Sequence, residues 1–253
     1  MPILTETASA LAELDPDDDR LDAHQLVLTI HRDPFAALKT YRAVAGAGPP
    51  REFNDIETLT ASAVMLGVPR LLTALRDAPT LDDYLAGHAA DGTRDGVMRV
   101  VDRARRAADF AYDWALRRQD LDAEVIAMAA LLHDFAEMLL WCLRPNEARA
   151  IQHALAATPG LRSAEAQRAV LGIELNELES ALMRRWRLPE LITLITQDHD
   201  VAHVRVRNVR LAVAVARHSS EGWQNPALPD DFAELADLLH VNAGQARHIA
   251  MSL

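Results

Sequence analysis

His133, Asp134 and Glu137 stand close together in the most apolar stretch of the chain, AEVIAMAALLHDFAEMLLWCL, residues 123–143. A neutral imidazole is a common metal ligand and a carboxylate offers oxygen to the same ion, so an adjacent His-Asp pair could hold a divalent cation that activates water. The same pair without an ion must find hydrogen-bond partners if it is buried. It is therefore either a metal site or what remains of one. A second group is Asp198, His199 and Asp200 with His203: on a helix His199 and His203 would share a face at i, i+4 and could grip a transition metal. An Asp-His-Asp run ahead of a new helix also reads as a capping turn. His31, His88, His153, His218, His240 and His248 are scattered and read as surface or helix-end residues. Arg99, Arg103, Arg106, Arg117 and Arg118 form a basic face, but Asp102, Asp109, Asp113 and Asp120 interleave with it, which favours ordinary pairing along a helix. No glycine-rich phosphate loop, nucleophile elbow or Cys-x-x-Cys pair occurs.

The elements that must position His133 and Asp134 follow from the composition. Half of the residues are apolar while only 5% are aromatic, and Ala, Leu and Arg dominate, which suits a helical protein with a large Ala/Leu core. Residues 123–143 are apolar on nearly every side of a helical wheel, so they predict one helix in the centre of the fold. The three polar groups leave apolar runs too short to cross a membrane. A net charge of −11 argues against a general nucleic-acid-binding surface. The single cysteine, Cys142, excludes an internal disulfide and reads as a core thiol. The start carries Glu6 and no basic region ahead of an apolar one, so it does not read as a signal peptide, and the expected location is the cytoplasm.

In chain order the patterns predict helices over residues 4–14, 21–31 and 34–45, the last capped by Asp33 with Pro34 in its first turn. Asn54 with Glu57 resembles a capping box for a helix over 55–66 that Gly67 closes. Pro69 and Thr80 open two more. Ala90-Asp91-Gly92-Thr93 is the best internal boundary. A long amphipathic helix follows over 93–118, with Ala104, Ala107, Ala108, Ala111 and Ala115 as a small-residue seam, and Asp120 or Asp122 caps the central helix. Helices from Pro145, over 165–171, 174–186, 189–197 and 205–219, from Asp230-Asp231 and from Asn242 complete the chain. Trp141, Trp186 and Trp223 are core anchors in this reading. No stretch alternates apolar and polar residues with β-branched enrichment, so the fold class is all-α.

Residues 130–140, within the run Ala-Ala-Leu-Leu-His-Asp-Phe-Ala-Glu-Met-Leu-Leu, resemble the central motif of the HD-domain phosphohydrolase superfamily, and more closely that of the HDOD family, the HD-related output domain of bacterial signalling proteins. Three further segments are similar in the same order: Ile30-His31-Arg32-Asp33-Pro34, Leu66-Gly67-Val68 with Arg70-Leu71, and Leu171-Gly172-Ile173 with Arg185-Trp186-Arg187-Leu188-Pro189-Glu190. Residues 197–200 fall where the family often carries a His-rich end. The resemblance implies an HD-domain-like fold of about a dozen or more helices in a single domain over 1–253, with a smaller N-terminal helical half, 1–92, packed on an HD-like half, 93–253.

It also implies a test of catalysis, residue by residue. An active HD enzyme needs a histidine on the preceding helix, the His-Asp pair and a late aspartate, which together bind one or two divalent ions. Here only His133 and Asp134 remain. Residues 93–118 contain no histidine, and Arg105 and Arg106 stand nearest to the missing one. The late aspartate falls near Ala216 and Arg217, and Leu175 replaces a further histidine. A guanidinium has no lone pair for a metal. The resemblance therefore implies a vestigial pair, with Arg105, Arg106 or Arg217 lying over Asp134 in place of the ion, because a buried carboxylate stripped of its metal needs a compensating charge.

The expected function is a non-catalytic, cytoplasmic bacterial signalling module without cofactor or metal. Its partner would be a protein or a small ligand, docked in a groove between the two halves, and neither nucleic acid nor membrane. One alternative is a residual metal-dependent phosphohydrolase acting on a nucleotide or cyclic dinucleotide, with His153, His199 or His203 completing the site. Another is a helical scaffold or homodimer.

Overall fold

The computed structural model describes residues 1–16, 18, 21–47, 56–87, 92–158, 160–196 and 203–253. The Asn54 cap, His88, the 90–91 boundary and the Asp198-His199-Asp200 group lie outside these residues. Sixteen α-helices occur among the described residues and no strand: α1 Thr5–Glu13, α2 Ala23–Ile30, α3 Pro34–Gly46, α4 Leu59–Leu66, α5 Val68–Arg76, α6 Leu81–Ala86, α7 Thr93–Arg117, α8 Ala123–Leu132, α9 Phe135–Leu143, α10 Pro145–Ala157, α11 Ser163–Leu171, α12 Leu175–Trp186, α13 Glu190–Thr196, α14 Val204–His218, α15 Leu228–Leu239 and α16 Ala243–Met251. The protein is all-α. An isolated parallel bridge joins Ile3 to Thr80.

The predicted central helix is two helices. His133 ends α8, and Asp134 at φ −111°, ψ 24° leaves the helical region before Phe135 opens α9. The 3.6-residue apolar pattern runs through this break unchanged, which is why periodicity joined the two. A short polar side chain that competes for backbone groups is a poor helix-interior residue, and Asp134 takes the first non-helical position instead. By length and composition Ala123–Leu143 could cross a membrane, yet 72% of its most apolar window is buried inside the protein.

Two compact units form, each from discontinuous chain. The first is Met1–Val101 with Asp134–Pro189, and the second is Asp102–His133 with Glu190–Leu253. These units cut the chain differently from a division at residues 92 and 93, because α7 continues from the first into the second. In the first unit α9 packs on α10 and α12, while α3 packs on α4 and α5. In the second, α8 packs on α13 and α14, and α14 on α15. The apolar stretch 123–143 therefore supplies a core helix to each unit. The alanine seam of α7 is buried at Ala104, Ala107, Ala111 and Ala115.

Side-chain capping explains several helix starts. The Asp22, Thr80 and Asn242 side chains accept from the backbone N–H groups of Gln25, Asp83 and Gln245, and Gln245 returns a bond to complete a capping box at Asn242. Two starts differ from expectation. Helix α4 opens at Leu59, where Thr58 accepts from Ala61 N–H, four residues later than the Asn54 pattern predicts. Asp122 occupies the N-cap position of α8 without a capping bond, because its carboxylate pairs with Arg205. Gly67 closes α4 with φ 79°, a conformation that glycine adopts without strain.

Cys142 lies buried on α9, and burial pushes its thiol pKa up to about 12. Ellman's reagent at pH 8 is expected to leave this thiol untouched in the folded protein and to titrate one thiol per chain in urea. Rapid reaction before unfolding would contradict the core position.

Candidate functional site

His133 and Asp134 occupy the junction between α8 and α9, each half-buried. The backbone carbonyl of Asp134 accepts from Glu137 and Met138 N–H, at 3.1 and 3.3 Å, and so starts α9. Its carboxylate makes no capping bond to α9. Phe135, fully buried, fixes the next residue against Trp186 of α12 with ring centroids 5.7 Å apart.

The three arginines singled out by sequence have different surroundings. Arg105 lies 3.8 Å from Asp102, one turn earlier on α7. Arg217 is exposed on the last turn of α14. Arg106 donates to the Ser219 carbonyl at 3.1 Å, and its guanidinium lies over the rings of Trp223 and Phe110 at 5.0 and 5.5 Å. These contacts tie α7 to the segment after α14. A planar guanidinium can stack and donate at once, which a lysine ammonium cannot. Arg106→Ala is expected to cost about 2 kcal/mol in urea denaturation, from one hydrogen bond and two cation–π contacts. Arg106→Lys should recover less than half of that loss. Full rescue by lysine would show that charge alone matters.

Among the described residues no group of three or more His, Cys, Asp or Glu side chains gathers where it could hold a metal. At the other positions implicated in ligation the chain carries Arg105, Arg106, Leu175, Ala216 and Arg217, none of which is a metal ligand. His203 caps α14, its ring accepting from Arg205 N–H at 3.3 Å. The Asp198-His199-Asp200 run, to which the capping reading applied, and with it His199, the pairing partner of His203, lie outside the described residues.

Sequence reasoning missed the polar groups of the second unit. His218 Nδ1 lies 2.6 Å from Asp231 Oδ2, joining α14 to α15, although His218 read as an ordinary helix-end residue. Asn208 is fully buried on α14 and donates to the Ala111 carbonyl at 3.2 Å. Among the described residues, its Oδ1 and the Nε1 of fully buried Trp114 find no hydrogen-bond partner. An asparagine amid Val206, Val209 and Ala212 was a visible signal that α14 meets another backbone. The pairing of His218 with Asp231 left no such trace, because its two halves lie on separate helices. Of the tryptophans named as anchors, Trp141 is buried, while Trp186 and Trp223 are half-buried and carry Arg42 and Arg106 on their faces.

A family model described as "HDOD domain" matches residues 1–201. The fold is similar to that of the MmoQ response regulator from Methylococcus capsulatus strain Bath, at TM-score 0.71 and 16% identity over 98% of this chain and 97% of that one. A virulence factor from Campylobacter jejuni superposes with TM-score 0.66 at 16% identity, covering 99% of this chain and 93% of that one. An HDOD domain protein of unknown function from Geobacter sulfurreducens gives 0.54 at 18% identity, covering 100% and 89%. At such identities the likeness is one of fold. No curated protein matches the chain.

Proposed function

The chain belongs to the HDOD family, and on that premise we propose that it is a non-catalytic signal-transduction module that binds a partner protein or a small ligand and keeps a degenerate HD metal site. The observation that carries this reading is the donor set: His133 and Asp134 persist at the α8–α9 junction, while arginine, leucine and alanine stand where further ligands would be needed. A hydrolytic metal centre requires enough ligands to hold the ion and an open position for water. Two donors on adjacent residues supply neither a closed ligand set nor a second ion. The name of the M. capsulatus protein, a response regulator, belongs to the same signalling context. A bacterial cytoplasmic setting goes with the proposal.

The test pairs two measurements on the full chain. Elemental analysis after dialysis is expected to find Mn, Fe and Zn well below one ion per chain. Hydrolysis of bis(p-nitrophenyl) phosphate in added Mn²⁺ should match the rate without protein, and His133→Ala should change nothing. Stoichiometric metal together with activity lost in His133→Ala would overturn the reading in favour of a phosphohydrolase. Co-purification with identification of bound proteins then names the partner.

A further inference from the structure

We propose that the cleft between α3 and α5 binds a small amphipathic anion, a carboxylate or phosphate monoester on a short hydrocarbon body, through Lys39 and Arg42. The cleft has a volume of about 440 Å³ and is lined by Leu71, Ala74 and Leu75 of α5, by Lys39, Arg42 and Ala43 of α3, and by Met1. That volume lies in the usual range for small-molecule sites. Leu71 and Leu75 are buried at 1% and 0% exposure, so the floor is a rigid part of the core.

The charge arrangement points to an anion. Lys39 is the only lysine in a chain whose acids outnumber its Lys and Arg by 37 to 26. Elsewhere arginines meet acids, as Arg94 does Asp82, Arg117 Asp113 and Arg207 Asp237. Lys39 and Arg42 stand one turn apart on α3, a spacing at which like charges repel. Among the described residues neither has a carboxylate partner. The Arg42 guanidinium is instead held by its face, 4.7 Å above the Trp186 ring. Stacking leaves the in-plane N–H groups free to donate to a carboxylate or phosphate oxygen. An anion there relieves the repulsion between the two cations, and its hydrocarbon body covers Leu71, Ala74 and Leu75. The inference is independent of the reading of His133 and Asp134, since it concerns other helices and other chemistry.

Calorimetric titration of the full chain tests it, with octyl phosphate below its micelle-forming concentration, octanoate, inorganic phosphate and octanol as probes. Octyl phosphate and octanoate are expected to bind at one site per chain, inorganic phosphate at least tenfold more weakly, and octanol not at all. Lys39→Ala should weaken octyl phosphate binding at least tenfold. Ala74→Leu, which fills the cleft without touching charge, should weaken octyl phosphate but leave inorganic phosphate unchanged. Both substitutions fall on side chains that reach the surface, and circular dichroism checks that the variants fold. Binding that survives Lys39→Ala, or equal affinity for inorganic and octyl phosphate, overturns the proposal. Flotation with phosphatidylglycerol vesicles in the absence of octyl phosphate binding would assign the two cations to a membrane surface instead. A metal-loaded, active protein would refute the non-catalytic reading of His133 and Asp134 and leave this titration unaffected.

Discussion

Gly96→Ala is expected to lower the thermal midpoint by roughly 4–8 °C, from a net loss of about 2 kcal/mol in a protein of this size. Gly96 is buried in α7, where an added Cβ would lie 2.5 Å from Cδ2 and Cζ3 of Trp141 and closer still to Cε3. Contacts of that length force either the indole or the helix to move. Trp141 is buried, and Arg99 covers its ring at 5.9 Å one turn along α7, so the indole has little room to yield. Alanine is the better helix former by roughly 1 kcal/mol, so the sign of the result decides whether packing or propensity wins. In a Trp141→Leu background the clash disappears, and Gly96→Ala should become neutral or stabilising. Additivity of the two substitutions would show that Gly96 and Trp141 do not constrain each other. The effect reaches the candidate site because Trp141 lies on α9, the helix that Asp134 begins.

Asp33→Ala is expected to be costlier still, about 3–5 kcal/mol, because one carboxylate serves three backbone donors. Oδ1 accepts from Phe35 and Ala36 N–H at 2.8 and 3.1 Å, capping α3, and Oδ2 accepts from Leu4 N–H at 2.7 Å. Asp33 itself is 1% exposed, so alanine strands all three donors away from water. Asp33→Asn should fall between, since an amide oxygen can still cap α3 while its NH₂ faces the Leu4 donor. Burial pushes the Asp33 carboxyl above its ordinary range, and hydrogen bonds from Leu4, Ala36, Thr7 and Phe35 recover only part of that shift. The sign follows: a carboxyl whose folded pKa lies above its unfolded value contributes stability that is full below the unfolded pKa and is lost as pH rises through the folded one. Urea midpoints of the native chain should therefore fall relative to Asp33→Asn as pH is raised from about 4, near the ordinary value for a free aspartate. A constant difference across that range would contradict the burial argument.

Asp33 shows what a sequence can disclose. Asp followed by Pro announces a cap and a first-turn proline by local chemistry alone, and α3 begins at Pro34 as the spacing requires. Nothing in that dipeptide reveals that the second carboxylate oxygen reaches back to Leu4, a contact across 29 residues. The same divide runs through the candidate site. The His133-Asp134 pair was legible because two polar residues interrupt an apolar run. The break it makes was not, because apolar spacing persists on both sides and conceals that α8 and α9 face different neighbours. Arg106 was legible as an arginine out of place, but its attachment to Trp223 and Ser219 depends on a turn more than a hundred residues away in the chain, as the 113-residue separation of Arg106 and Ser219 shows. Lys39 was visible as the only lysine, whereas its apolar surroundings required the packing of α3 on α5.

The interleaving of the two units also governs the order in which the chain can mature on the ribosome. The first unit is complete only when Pro189 has emerged, and by then Asp102–His133 has long been synthesised without the α13–α16 segment that belongs with it. Until the last helices arrive, α8 lacks α13 and α14, on which it packs, and exposed apolar surface of that kind is what chaperones hold and aggregation exploits. Neither unit can be liberated by one cut. Residues 1–201, the span shared with the family, likewise omit α14, α15 and α16. A fragment trimmed to that span would carry the His-Asp pair and yet lack the helices on which its neighbour α8 rests.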